Sequence, residues 1–326
     1  MMKLNSTGQV VLILVAVAYL LGVYFVSSPV WMGFTINALI VAVLALSWNV
    51  TGGFGGLSSF GHAVLYGTGA YTSAILQVTY GVNAWVALFA GIAMAAAVGG
   101  FIGALAFRYG VKGSYFALVT LAFAEVFRIC AASFDFTGGG SGLQLKLAPG
   151  ISNIQFADRT VLYTFLLAIV ALVMLLTAWI KYSRFGAYLV AVRENEDAAR
   201  ALGIDTYRIK VLAMAVSGAF GGLAGVLYLQ LWLFIDSSIA YGSSVSIEAL
   251  IGPIIGGAGT VWGPVLGTLG LHLIGEGAKT LLSNAPGLNF VLYAVVLICA
   301  LRFMPNGLVG LAGRIGPFAK KEGKDA

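Results

Sequence analysis

Ten of the chain's thirty Asp, Glu, Lys and Arg residues fall between Lys181 and Lys210, and long apolar stretches flank that segment on both sides. Within it, residues 193–203 carry Arg193, Glu194, Glu196, Asp197, Arg200 and Gly203, a pattern that predicts a short capped helix. Asn195 suits the N-cap, Glu196 and Asp197 suit the positive N-terminal end, and Gly203 suits the stop. The chemistry on offer is electrostatic docking rather than bond making. Val192, Ala199 and Leu202 fall on one side of a helical wheel and predict an apolar strip beside those charges. The competing reading is a solvated loop that turns the chain.

A second set of polar groups lies inside apolar runs, where each ionisable side chain is costly and normally faces protein or water. Glu125 and Arg128 stand three apart, as do Glu276 and Lys279, so each pair can close on one helix face. Both are expected to lock helices together rather than to touch a substrate. His62 follows the Gly-rich stretch as a helix-end residue, expected to bond a backbone carbonyl. His272 is expected to pack. Ser58, Ser59, His62, Tyr66, Tyr71 and Thr120 supply polar groups for a pathway through the helices, and Phe116 and Phe123 supply apolar wall. For any one of these, ordinary helix packing is the alternative. Cys130 and Cys299 lack metal-like spacing and read as packing residues. No phosphate-binding Gly-x-x-x-x-Gly-Lys-Ser/Thr loop and no His/Glu metal spacing or nucleophile–base pair is present in the sequence, so neither cofactor nor metal is expected, and any energy from ATP would have to arrive through a partner.

The elements that must hold these groups are membrane helices. The composition is 60% hydrophobic and 9% charged, with a mean hydropathy of +0.97, which excludes a soluble domain and fits repeated spans of a hydrocarbon core about 30 Å thick. The net charge of +6 and pI of 9.3 reflect basic loops and tail rather than nucleic-acid binding. Candidate spans cover about 9–26, 30–50, 61–79, 83–107, 113–133, 160–180, 208–233, 245–257, 261–280 and 288–304. The fold class is therefore an all-α integral membrane protein of about ten transmembrane helices, a single transmembrane domain over residues 1–326. Placing Arg108, Lys112, the loop at 181–207 and the basic tail at 305–326 inside demands an even count with both termini cytoplasmic. That count holds only if the glycine-rich run Gly256, Gly257, Gly259 to Pro264 breaks its region into a hairpin. The loop at 134–159 and the 234–244 stretch then face the outside, with Asp135, Asp158 and Asp236 as acidic contacts for a soluble partner.

Gly52, Gly53 and Gly55, closing the second span, echo Gly256, Gly257 and Gly259, closing the eighth, which hints at a parallel duplication with a second broken-helix turn.

Five segments, in this order, carry a family resemblance. They are Tyr109-Gly-Val-Lys-Gly-Ser-Tyr-Phe-Ala-Leu-Val-Thr-Leu-Ala-Phe-Ala-Glu125, Thr137-Gly-Gly-Gly-Ser-Gly-Leu143, Val192-Arg-Glu-Asn-Glu-Asp-Ala-Ala-Arg-Ala-Leu-Gly-Ile204, Gly256-Gly-Ala-Gly-Thr-Val-Trp-Gly-Pro264 and Phe303-Met-Pro-Asn-Gly-Leu308. Together they resemble the LivM-type permeases of branched-chain amino acid ABC importers. The resemblance implies a permease subunit in a bacterial inner membrane, paired with a LivH-type second permease, two cytoplasmic ATPase subunits and a periplasmic substrate-binding protein. It also implies that 196–203 is the ATPase coupling segment, although Asp197 stands where the family pattern has Ala and the later proline is missing. Two rival readings remain at this point: a urea or amide ABC permease, and a proton-coupled amino acid carrier using Glu125 or Glu276.

Overall fold

The computed structural model describes residues 29–281 together with Val17 and Gly22. The spans expected at 9–26 and 288–304, Cys299, the 303–308 motif and the 305–326 tail lie outside the described residues, as do the side chains of Glu276 and Lys279.

The described chain is a bundle of eleven α-helices. In order they are α1 (Pro29–Trp48), α2 (His62–Val78), α3 (Ala84–Arg108), α4 (Gly113–Ser133), α5 (Arg159–Tyr182), α6 (Arg184–Glu194), α7 (Glu196–Ala201), α8 (Thr206–Trp232), α9 (Ser237–Tyr241), α10 (Ser243–Gly256) and α11 (Gly263–Leu281). Among the described residues, six segments are long and apolar enough to cross a membrane, the sixth formed by α9 and α10 together. The first five agree with the sequence-based spans to within a few residues, the sixth begins well before the expected 245–257, and the spans expected at 61–79 and 261–280 form the helices α2 and α11 outside these six.

Small residues set how close the central helices come. On α3, Gly91, Ala95, Gly99 and Gly103 recur every fourth residue and face α8, whose Gly218 and Gly222 meet them. A methyl group on Gly99 would stand 2.5 Å from the Met214 carbonyl oxygen, and one on Gly91 would stand 2.7 Å from the Gly69 carbonyl oxygen of α2. Three backbones therefore pack at a distance only glycine allows, which in a membrane supplies the van der Waals contact that drives helix association. Around this centre, Ile36, Ile40 and Leu44 of α1 join Leu166 and Val170 of α5 and Leu250 and Ile255 of α10 in the largest buried cluster.

At the end opposite α6 and α7, β1 (Leu143–Gln144) pairs antiparallel with β2 (Phe234–Ile235). The two outer connections thus brace one another. Asp158 and Asp236, read from the sequence as acidic contacts for a soluble partner, also cap helices: Asp158 accepts from the Thr160 amide, and Asp236 accepts from the amides of Ser238 and Ile239. Both aspartates precede helices directly, which is the signal that spacing alone did not weigh.

Candidate functional site

The charged segment folds as two helices rather than one. Ser183 accepts from the Gly186 amide and starts α6, a helix the sequence reading left inside the loop at 181–207. Asn195 adopts extended backbone angles, interrupts the helical path, and caps α7 by accepting from the amides of Asp197 and Ala198. Gly203 closes α7 at φ +84°. The expected cap and stop are both in place, yet the break at Asn195 divides the expected apolar strip. Val192 and Ala199 are buried, while Leu202 is 82% exposed.

The charges divide in the same way. Glu196 turns inward, and its side chain is only 16% exposed. It accepts from Lys210 at 2.7 Å, meets Lys112 at 3.3 Å, and pairs with Arg200 at 3.2 Å. Lys210 is itself 6% exposed and sits over the Phe107 ring, 4.8 Å from its centroid. Burial opposes ionisation of Glu196, but Lys210 and Lys112 outweigh it and hold the carboxyl below its usual 4.5. Glu196 therefore ties α7 to α8 and to the α3–α4 turn. The outward face of the segment is left to Glu194, Asp197, Arg200 and Leu202.

Arg193 makes the longest-range link. Its Nη1 donates to the Gly53 carbonyl at 2.9 Å, while Nε and Nη2 are held by Glu194 at 3.0 and 2.6 Å. The glycine stretch it grips departs from expectation. Rather than breaking after α1, the chain runs on as a π-helical turn (Asn49–Phe54) through Gly52 and Gly53. The Trp48 ring occupies the space beside Gly52 and the Asn49 side chain that beside Gly53, so neither position has room for a Cβ. The irregular path begins only at Gly55 and Gly56. The second turn behaves as expected: α10 ends at Gly256, Gly257 and Gly259 take positive φ, and α11 begins at Gly263, followed by Pro264. Gly252 lies against Thr268, and Gly256 against Gly263, so α10 and α11 pack as an antiparallel pair.

The two glycine turns touch. The Gly259 amide donates to Asn49 Oδ1 at 2.8 Å, and Asn49 Nδ2 donates to the Thr260 carbonyl at 2.8 Å. A methyl on Gly53 would stand 2.6 Å from the Gly259 amide nitrogen. The sequence echo is therefore a contact in space, with Asn49 as the clasp and Arg193 bonded beside it. Asn49 was not singled out by sequence. A polar residue closing an apolar helix next to the glycines was the available signal.

Toward the bundle centre lies a buried polar network. Ser47 Oγ and Ser217 Oγ each donate to the other's carbonyl, at 2.7 and 2.8 Å. His62 Nε2 bonds Ser217 Oγ at 2.9 Å and its Nδ1 bonds Ser59 Oγ at 3.2 Å. The Ala63 amide donates to Ser246 Oγ at 3.0 Å. His62 thus joins α1, α2 and α8 through the hydroxyls of Ser59, Ser217 and Ser47.

The remaining pathway residues scatter. Ser58 is exposed beside the π-helical turn, and Phe116 is buried and stacked on Phe107. Thr120 accepts from the Phe60 amide, and Phe123 packs in the α2–α3–α4 cluster. Tyr71 stacks on Tyr241 with ring centroids 5.6 Å apart. Tyr66 lines a cavity of about 330 Å³ between α1, α2, α8, α9 and α10. The sequence reading missed its other polar lining: Asn37, Tyr228, Trp232, Ser244 and Glu248. Glu248 was detectable as a carboxylate within an apolar run. The Glu125–Arg128 pair forms as expected, doubly hydrogen-bonded, but its side chains are 55% and 36% exposed on the outer face of α4.

An all-helical bundle with glycine-packed apolar spans, a polar-lined cavity among them and a charged helical segment at one end is the form of a multi-pass membrane permease. The chain belongs to the family described as branched-chain amino acid transport system / permease component, whose model matches residues 30–301. It is 28% identical over 297 residues to the high-affinity branched-chain amino acid transport system permease protein LivM of Escherichia coli, covering 83% of this chain and 68% of that protein. It is 28% identical to LivH of the same organism, covering 82% and 91%, and 24% identical to its ribose import permease protein RbsC, covering 88% and 91%. No solved structure matches.

Proposed function

We propose that this protein is one of the two permease subunits of an ATP-driven, binding-protein-dependent importer for branched-chain or other hydrophobic amino acids, set in a bacterial inner membrane. The second permease is of LivH type, two ATPases dock from the cytoplasm, and a periplasmic binding protein delivers the substrate. Relatives named for branched-chain amino acid transport support the substrate class. Taking the eight helices α1–α5, α8, α10 and α11 as crossings in alternating directions, and adding the two spans read at 9–26 and 288–304, gives ten with both termini cytoplasmic. On this reading α6, α7 and the two glycine turns lie on the cytoplasmic side.

The observation that carries the coupling mechanism is the Arg193 bond to Gly53. An ATPase gripping the exposed face of α6 and α7 displaces Arg193, and the load passes to the Asn49 clasp, which holds the ends of both α1 and α10. Those two helices are walls of the cavity. The Ser47–His62–Ser217 network lies about one helical turn nearer the cytoplasm than Leu44 and Tyr66 and closes the bundle beneath it. Separating α1 from α8 breaks the paired serine bonds and opens that floor. ATP hydrolysis occurs in the partners, and this chain converts their movement into access.

A cysteine replacing the exposed Leu202 tests the docking. In the assembled importer it should crosslink to an ATPase subunit, and nucleotide should change the yield. Full accessibility of that cysteine to a bulky maleimide in the intact, ATPase-bound complex would refute docking at this face.

A further inference from the structure

The 330 Å³ cavity has a chemistry more particular than a passive pore requires. Its apolar side is built by Ile40, Val41 and Leu44 of α1, buried residues of which Ile40 and Leu44 also belong to the core cluster. Opposite stands an aromatic run: Tyr66 and Tyr228 meet edge on at 5.8 Å, and Tyr228 faces Trp232 at 6.2 Å. Glu248 is the one carboxylate among the lining residues, with Asn37 and Ser244 as neutral polar neighbours. Lys and Arg are absent from that lining.

Resting on the importer reading, we infer that this cavity is a transit subsite for a single hydrophobic amino acid. Glu248 receives the ammonium group, Asn37, Ser244 and the tyrosine hydroxyls serve the carboxylate, and the α1 face takes the aliphatic side chain. A carboxylate in a partly enclosed cavity favours a ligand that brings a positive charge over one that brings only negative charge. The volume suits one small ligand and lies at the lower end of the range for small-molecule sites. The subsite therefore recognises the α-amino group and is tolerant of the side chain, so it adds to the selection already made by the delivery protein. Its place above the Ser47–His62–Ser217 floor, on helices tied to the Asn49 clasp, makes its emptying the step that coupling controls.

The test uses photo-leucine, whose side chain carries a diazirine, on the full permease–ATPase assembly in lipid nanodiscs without binding protein. Adducts mapped by mass spectrometry should fall on the peptides containing Tyr228 and Trp232. Excess leucine or leucinamide, which both keep the ammonium, should suppress them at least about tenfold, the effect of a single charge interaction of modest strength. 4-Methylpentanoate, which lacks the ammonium, should not. Glu248→Gln should lower labelling to a similar degree and Glu248→Asp should restore part of it. If 4-methylpentanoate competes as well as leucinamide, or adducts fall elsewhere, the subsite is overturned; these arms use wild-type protein and stand even if a variant fails to assemble. ATP-driven leucine accumulation by the wild-type assembly in proteoliposomes is measured alongside. Accumulation without Glu248-dependent labelling removes the subsite and leaves the importer reading standing, whereas no accumulation removes both.

Discussion

At the scale of single residues, the charged segment divides its labour between an inward set and an outward set. Glu196 was expected to face an ATPase, but its carboxylate satisfies Lys210 and Lys112 inside this chain. Replacing it by lysine should therefore act through folding first. It leaves the 6% exposed Lys210 ammonium beside a like charge, at a cost of about 3 kcal/mol, measurable as a lower unfolding temperature in detergent. The double change Glu196→Gln with Lys210→Met should recover much of that loss. If the single variant melts like wild type, the buried pairing is not structural. The pH dependence has a definite sign. The folded-state carboxyl titrates below its unfolded value of 4.5, so its stabilisation is present above that value and fades as pH falls through the lower folded one. Melting temperature should thus drop on acidification below about 4.5, and Glu196→Gln should flatten that portion of the curve. Arg193 behaves differently because it reaches the glycine turn. Arg193→Ala should leave the complex assembled with basal ATPase activity while uptake falls at least about tenfold, the cost of one charge-assisted hydrogen bond. Normal uptake by Arg193→Ala would remove this bond from the coupling route.

At the scale of elements, helix packing depends on where backbone meets backbone. A valine at Gly99 of α3 has no room against the Met214 carbonyl and should destabilise by about 1–3 kcal/mol or more. Monodispersity on size exclusion after heating checks this, with Gly270→Ala, in open space, as the tolerant control. Apolar run lengths were enough to place α1–α5, α8, α10 and α11 in the sequence, because a helix crossing hydrocarbon must be continuous and apolar. The α7 cap at Asn195 was legible for an equally local reason, a short polar side chain ahead of acidic residues. What the sequence hid was set by tertiary contact. The π-helical turn through Gly52 and Gly53 exists because Trp48 and Asn49 fold across it, and no local signal separates a wide turn from a break. Phe116 and Thr120 carry the right chemistry for a pathway, yet α4 turns them toward α2 and α3. Glu125 and Arg128 were legible as a pair, but their exposure on the outer face of α4 was not, since spacing fixes a helix face and not what covers it.

At the scale of the whole molecule, the cavity, the polar floor, the glycine clasp and the charged helices form a line along the bundle axis. On the proposed ten-span orientation the last two lie in the cytoplasm. Cysteines at the exposed Ala258 and Asp197 should be labelled only from that side, and one at Ser141 only from the other. Outside labelling of Ala258 would put the α10–α11 turn on the wrong side and contradict the ten-span orientation. The central claim is that ATPase movement, delivered through this chain, drives inward passage of a hydrophobic amino acid. Its most direct measurement is leucine uptake into proteoliposomes holding this subunit, its partner permease and both ATPases. ATP is sealed inside, loaded binding protein is outside, and a protonophore is present throughout. The expected result is accumulation against a gradient that requires ATP and binding protein and persists with the proton gradient collapsed. Uptake that vanishes with the protonophore at constant ATP, or that proceeds equally well without the ATPases, would contradict it.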